Sequence, residues 1–339
     1  MDSKRVGRQT IRFSLPPVVE SFANIGGKEE GCGPLAEYFD ELGEDSYFDQ
    51  PTWEKGESEM QKRVIYRALE KKNLKPADVD VIFAGDLLNQ CIGTSFSLRD
   101  VGIPLYGVYG ACSTMGESLS LAAMAVEGGF ARRAAAVTSS HFCTAERQYR
   151  MPVPYGSQRT PCAQWTATAA GCCVVAAQGS GTKITHITTG KIVDKGIKDA
   201  NNMGAAMAPA AYDTLRAFFS DTRTTPKDYD AIFTGDLGKL GHAIVSDLFD
   251  RDGVRMENYY DCGLLLYDVE RQDMHCGASG CGCSAAVLNG YILQNLAAEK
   301  WKKVLFAPTG ALLSPTSSFQ GESIPGICHA VLLERGEEK

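Results

Sequence analysis

Short apolar runs closed by small turn residues alternate along this chain with longer stretches that are apolar on one face only, the pattern of strands alternating with helices. The clearest run, Asp78-Val-Asp-Val-Ile-Phe-Ala-Gly-Asp-Leu87, predicts a buried strand over residues 81–84 that ends in a Gly-Asp turn. The pattern returns 150 residues later as Asp228-Tyr-Asp-Ala-Ile-Phe-Thr-Gly-Asp-Leu237, identical at seven of ten positions. Each copy follows a helical segment and a Pro-x-Asp start signal, Lys75-Pro-Ala-Asp78 and Thr225-Pro-Lys-Asp228. A Gly-rich turn with cysteine then opens a helix in each half, Gly110-Ala-Cys-Ser-Thr-Met-Gly116 and Gly277-Ala-Ser-Gly-Cys-Gly-Cys283. Helices are predicted over 115–127 and 284–296, and strands over 104–108, 134–138 and 303–308. Residues 179–196 read as strand and turn, whereas the stretch to about residue 59, with Gly26-Gly27 and Gly31-Cys-Gly-Pro34, reads as an elaborated irregular loop.

So long a period excludes a solenoid and points to a duplicated α/β domain, with halves over 1–180 and 181–339. Strands that alternate with helices imply sheets covered on both faces, and two similar halves imply a pseudo-twofold axis between them. Ligands of such sheets bind beyond the carboxyl ends of the strands, here near the two Gly-Asp turns and Cys112.

Composition narrows the function. With 339 residues, 44% of them hydrophobic, the chain can bury a substantial core. A net charge of -7 leaves no basic excess to neutralise nucleic-acid phosphates, so any anionic ligand must be met by local donors. The first ten residues are polar and basic with no apolar core of a secretory signal, so the twelve cysteines read as reduced thiols of a cytosolic protein. Cys172-Cys173 and Cys281-Gly-Cys283 are too close for ordinary disulfides within each pair. The uncharged run 160–182 is rich in Thr, Ala and Gly and lacks Leu, Ile and Phe, so it does not read as a membrane span.

Cys112 is the sharpest candidate for chemistry. It follows a predicted strand and opens a helix, where unpaired amides and the positive dipole end favour a thiolate. Catalysis would also need a base and an oxyanion donor nearby. His141 and His329 lie at strand ends, while His186 and His242 read as structural. His275, Cys276, Cys281 and Cys283 lack zinc-ligand spacing, and no metal site is expected. Cys162, Cys172 and Cys173 read as packed strand residues.

The duplicated strand motif, the Gly-Ala-Cys-Ser opening and Ala170-Gly-Cys-Cys-Val-Val175 resemble the thiolase and ketoacyl-synthase III superfamily. Gly85-Asp-Leu-Leu-Asn-Gln90, Thr138-Ser-Ser-His141, Ala206-Met-Ala-Pro-Ala-Ala211 and Thr309-Gly-Ala-Leu-Leu-Ser-Pro-Thr316 resemble, more closely, the stage V sporulation protein AD family of spore-forming bacteria. The resemblance implies a thiolase-like α/β fold with layers in the order αβαβα. It further implies binding of dipicolinic acid, free or as its calcium chelate, to support its uptake into the developing spore. Implied partners are other stage V sporulation membrane proteins, which hold a soluble chain on the cytoplasmic side at the spore inner membrane. A homodimer through a first-half edge strand is also implied.

Within the superfamily pattern Cys112 stands at the nucleophile's place. The histidine's place reads Thr234-Gly-Asp-Leu-Gly238 and the asparagine's reads Ser279-Gly-Cys-Gly-Cys283, so neither partner is present and no catalysis is expected. Candidate ligand-binding residues are Asn89, Cys112, Thr138, His141, Thr309, Ser314 and His329, with Asp86 and Asp236 placed either to meet calcium carried by the ligand or to cap the turns after their strands. No cofactor is expected beyond calcium in the chelate. Two other readings compete: an acyl-transferring enzyme that uses Cys112 with His329 as base, and a scaffold whose pocket is empty of function.

Overall fold

The computed structural model describes residues 4–149 and 159–336. Its main sheet has twelve strands, ten of them in one path. The first-half strands along the chain are Val18–Gly26, Val81–Gly85, Leu105–Gly107, Arg133–Ser140 and Ala169–Ala176. Those of the second half are Thr182–Thr188, Ala231–Thr234, Tyr259–Asp261, Lys303–Ala307 and Ala330–Glu334. Within each set the spatial order is third, second, fourth, fifth, first, with the same parallel and antiparallel neighbours. The two sets meet where Val18 and Val19 pair with Lys183 and Thr182.

Successive side chains of a strand face opposite ways, so each strand feeds two cores. Ile82, Val137, Cys172 and Val174 pack with Met60, Val64, Ile65 and Leu69 of the helix Trp53–Glu70. Their neighbours Phe83, Ala136, Cys173 and Val175 join a central core with Phe233, Val304 and Phe306 of the other half. Between these two sets of strands lie Met115 and Leu119 of the helix Thr114–Glu127, and Leu288 and Leu293 of the helical segment from Cys281 to Ala297. A third core packs Ile232, Leu305 and Leu332 against Met207, Leu215 and Phe218 of the helix Met203–Thr222. Outer helices, strands, central helices, strands and outer helices therefore form the expected layers.

The N-terminal region departs from the expectation of an irregular loop to residue 59. Val18–Gly26 is a nine-residue strand at the middle of the sheet, and a helix already begins at Trp53 behind the cap Thr52. Polar residues at Ser21 and Asn24 break the apolar run that marks a buried strand. In the fold they are satisfied from afar: Ser21 Oγ donates to Ala68 O and Asn24 Nδ2 to Ala286 O (3.0 Å). The helix expected over 284–296 is interrupted by a π turn at Leu288–Ile292. There Asn289 donates to Ala285 O at 2.9 Å and accepts from Cys173 Sγ at 2.9 Å, anchoring the widened turn to the sheet. Cys162 lies in a turn rather than a strand, while Cys172 and Cys173 are buried in one as expected. All twelve cysteines are free thiols. No helix among the described residues is long and apolar enough to cross a membrane.

Candidate functional site

A cavity of about 230 Å³ opens beyond the carboxyl ends of the strands. Leu87, just past Val81–Gly85, forms one wall, and Ala111 and Cys112, past Leu105–Gly107, form the floor. The helix Phe142–Tyr149 contributes Ala145, Glu146 and Tyr149. The second half closes the site with Ser279, Ala311 and Leu313, and Asn201 and Met203 stand at the start of a second-half helix. The lining is mostly apolar with a few polar groups, the composition of a small-molecule pocket.

The turn that carries Cys112 is tightly specified. Ala111 has a left-handed backbone, φ +49°, a conformation costly for any residue but glycine. Ser113 Oγ donates to Gly110 O (2.7 Å) and Thr114 Oγ1 to Ala111 O (2.6 Å). From the other half Gly310 backs directly onto the turn, since a Cβ there would lie 2.2 Å from Gly110 O.

Cys112 is buried, and the carboxyl of Asp236 lies beside its thiol. Burial pushes the thiol well above its ordinary range, and the carboxyl of Asp236 and the neighbouring Cys281 push it further. The helix terminus therefore does not yield the expected thiolate, because loss of water outweighs the amide dipoles. Asp236 is itself wholly buried. Its Oδ2 accepts from Gly280 N (2.8 Å) and Ser279 Oγ (3.2 Å), and its Oδ1 accepts from Thr309 Oγ1 (3.2 Å). Burial raises this carboxyl to about 7 despite those bonds. Higher on the wall, Tyr149 Oη donates to Leu87 O (2.7 Å), so the 3.0 Å contact with Tyr109 Oη is a bond donated by Tyr109. Burial raises Tyr109 to about 12 and Tyr149 higher still, so both stay neutral.

The family model for stage V sporulation protein AD matches residues 7–334. Stage V sporulation protein AD of Bacillus subtilis (strain 168) is 43% identical over 333 residues, which is 98% of each chain. The chain belongs to the stage V sporulation protein AD family. Solved structures carry the fold further afield. The 3-oxoacyl-(acyl-carrier-protein) synthase III of Aquifex aeolicus VF5 superposes with a TM-score of 0.56 at 13% identity, covering 94% of this chain and 99% of that one. That of Pseudomonas aeruginosa PAO1 gives 0.58 at 12% identity, covering 96% and 99%. A point variant of OleA from Xanthomonas campestris gives 0.61 at 12%, covering 95% and 99%. At these identities the likeness is one of fold: this member of the sporulation family is built on the thiolase-like architecture.

Of the residues singled out from sequence, the structure brings Cys112, Asp236 and Thr309 together through the Asp236 carboxyl. Only Cys112 among the nine lines the cavity. Asp86 is buried under the opposite Gly-Asp turn, accepting from Leu88 N (2.7 Å), Thr94 N and Thr94 Oγ1 (both 2.6 Å), which is the capping role. Asn89 is exposed, and its amide N–H donates to Gln148 Oε1. Thr138 Oγ1 donates to Gly85 O (2.8 Å) within the sheet. Ser314 caps the short helix Pro315–Phe319. His141 Nε2 is bonded to Ser46 O (2.7 Å), and His329 Nδ1 accepts from Gly190 N (3.3 Å) with its pKa driven by burial to about 4. The other three rings bond to Thr185 Oγ1, Tyr259 O and Thr160 O.

Sequence reasoning missed Leu87, Ser279, Tyr109, Tyr149, Asn201 and Leu313. The first two sit inside motifs already noted, the Gly-Asp-Leu turn and the second Gly-rich turn, and Tyr109 and Leu313 lie in or beside noted motifs. Nothing in the local pattern marks Tyr149 or Asn201, which reach the wall only because separate helices converge there.

Proposed function

We propose that this member of the family binds dipicolinic acid, alone or with calcium, in the Cys112 cavity without chemically transforming it. The observation that carries the reading is the environment of Cys112: a buried thiol beside the carboxyl of Asp236, with each of the five histidine rings bonded to another group. A nucleophilic cysteine needs a base to take its proton and surroundings that favour the thiolate; here burial disfavours the thiolate and the neighbouring group is a carboxyl. A flat aromatic ligand suits an apolar slot, with Leu87, Met203 and Leu313 against the ring and the Thr166 hydroxyl and Asn201 amide available to its carboxylates. In this reading the chain works beside stage V sporulation membrane proteins at the spore membrane. The exposed edge strand Leu105–Gly107 is open to a second copy.

The test is calorimetric titration with dipicolinic acid, with and without calcium, using benzene-1,3-dicarboxylic acid as control. Saturable binding of the first alone, weakened in Cys112→Ala, is expected. No binding in either condition refutes the reading and favours a scaffold. Acylation of Cys112 by acyl-thioesters, seen as an intact-mass adduct, would instead make the protein an enzyme.

A further inference from the structure

At the end of the molecule opposite the cavity, residues 4–16 fold onto the end of the helix Thr114–Glu127. Ser14 N donates to Glu127 Oε1 (3.3 Å), and the Lys4 ammonium bonds Glu127 Oε2. That helix starts beside the Cys112 turn, and its fourteen residues set this face about 21 Å from the cavity floor. Four apolar side chains stand out into solvent around Glu127: Phe130 is 88% exposed, Leu15 77%, Met124 42% and Val6 39%. Apolar residues scattered singly are ordinary on a surface, but these share one anchor. Met124 lies one turn before Glu127 and Phe130 in the turn after it; Leu15 follows Ser14, and Val6 lines a groove with Lys4.

The groove, of about 530 Å³, is basic: Lys4, Arg12, Lys183 and His186 line it. Its one carboxylate, Glu334, is paired with Lys303 (3.2 Å), whereas Arg12 and Lys183 make no ion pair among the described residues. Residues 4–16 hold four cations and no acid, in a chain whose net charge is -7. Nearby acids are engaged elsewhere. Glu20 pairs with Arg133 (2.6 Å) and Asp80 with Arg132 (2.9 Å), and Asp221 accepts from the amides of Arg8, Gln9 and Thr10.

We propose that this face seats the chain directly on an anionic lipid bilayer, with Phe130 and Leu15 entering the interfacial region and Arg12 and Lys183 meeting lipid phosphates. Burial of apolar side chains and attraction to anionic headgroups together hold a protein on a membrane surface, and stable attachment takes both. A fluid interface closes around side chains that project this far, whereas a folded partner would need pockets shaped to them. The cavity opens at the other end of the strands, so it stays open to water while the chain is docked.

Vesicle co-sedimentation of the full chain tests this, with phosphatidylcholine alone and with equal parts of phosphatidylcholine and phosphatidylglycerol. Binding to the mixed vesicles only is expected, weakening as salt is raised from about 0.05 M to about 0.5 M. Each cation at such a surface is worth about fivefold in partitioning, so Arg12→Gln with Lys183→Gln should bind about 25-fold more weakly. Leu15→Ser with Phe130→Ser should bind at least about tenfold more weakly. None of these side chains is in the core, so both double variants should keep the wild-type urea midpoint. Binding to neither vesicle overturns the proposal and leaves an acidic protein as the occupant of the face. Equal binding to both vesicles, or undiminished binding by either double variant, overturns it as well.

Discussion

Replacing Asp236 by asparagine should change how stability depends on pH, with or without ligand. Asp236 is raised from 3.8 to about 7 by complete burial. Its contribution to stability is fully present below about pH 4 and is lost as pH rises toward 7, because the unfolded chain releases the proton first. Within that window each unit costs about 1.4 kcal/mol. Integrated from pH 5 to pH 8, with the folded group titrating near 7, the wild type loses about 2.5 kcal/mol from this carboxyl alone. Asparagine has the same shape, accepts from Gly280 through its carbonyl and does not ionise. The difference in unfolding free energy between variant and wild type should therefore move by about 2.5 kcal/mol in the variant's favour across that range. Urea denaturation followed by tryptophan fluorescence at pH 5, 6, 7 and 8 measures it. Buried Glu30, raised to about 7, and Glu57, raised to about 8, titrate in both proteins and cancel in the difference. A difference that stays constant with pH, or one that moves in the wild type's favour as pH rises, refutes the claim that a protonated carboxyl sits behind Cys112.

Two further outcomes follow from the same geometry. Gly310→Ala drives a Cβ to 2.2 Å from Gly110 O and 3.3 Å from Cys112 N, and should cost about 1–3 kcal/mol of stability in the same urea assay while weakening any ligand of the cavity. Iodoacetamide at pH 7.5 should label exposed Cys32 well before buried Cys112, as read by peptide mass spectrometry; equal rates would mean that Cys112 is a reactive thiolate after all.

What the chain discloses on its own is whatever repeats locally. The two Gly-Asp-Leu strands were legible because a buried strand needs a short apolar run and a tight turn, and both copies kept them. Their spacing pointed to a duplication, and one strand order recurs in the two sets of strands. Cys112 was legible as a cavity residue because its strand-turn-helix setting is also local. The central strand Val18–Gly26 was not, since Ser21 and Asn24 find their partners in Ala68 and Ala286, far along the chain. The charge state of Cys112 was not legible either. A helix terminus can be seen in sequence, but the burial that opposes it and the carboxyl of Asp236 that faces it come from the other half. Most expected site residues sit at strand ends, as predicted, yet a strand end has several directions in which to point its side chain. Tertiary packing turned Asp86, Thr138, His141 and His329 toward internal partners and left Ser279, Tyr149 and Leu313 to line the cavity, because which face a side chain covers depends on neighbours that sequence adjacency does not specify.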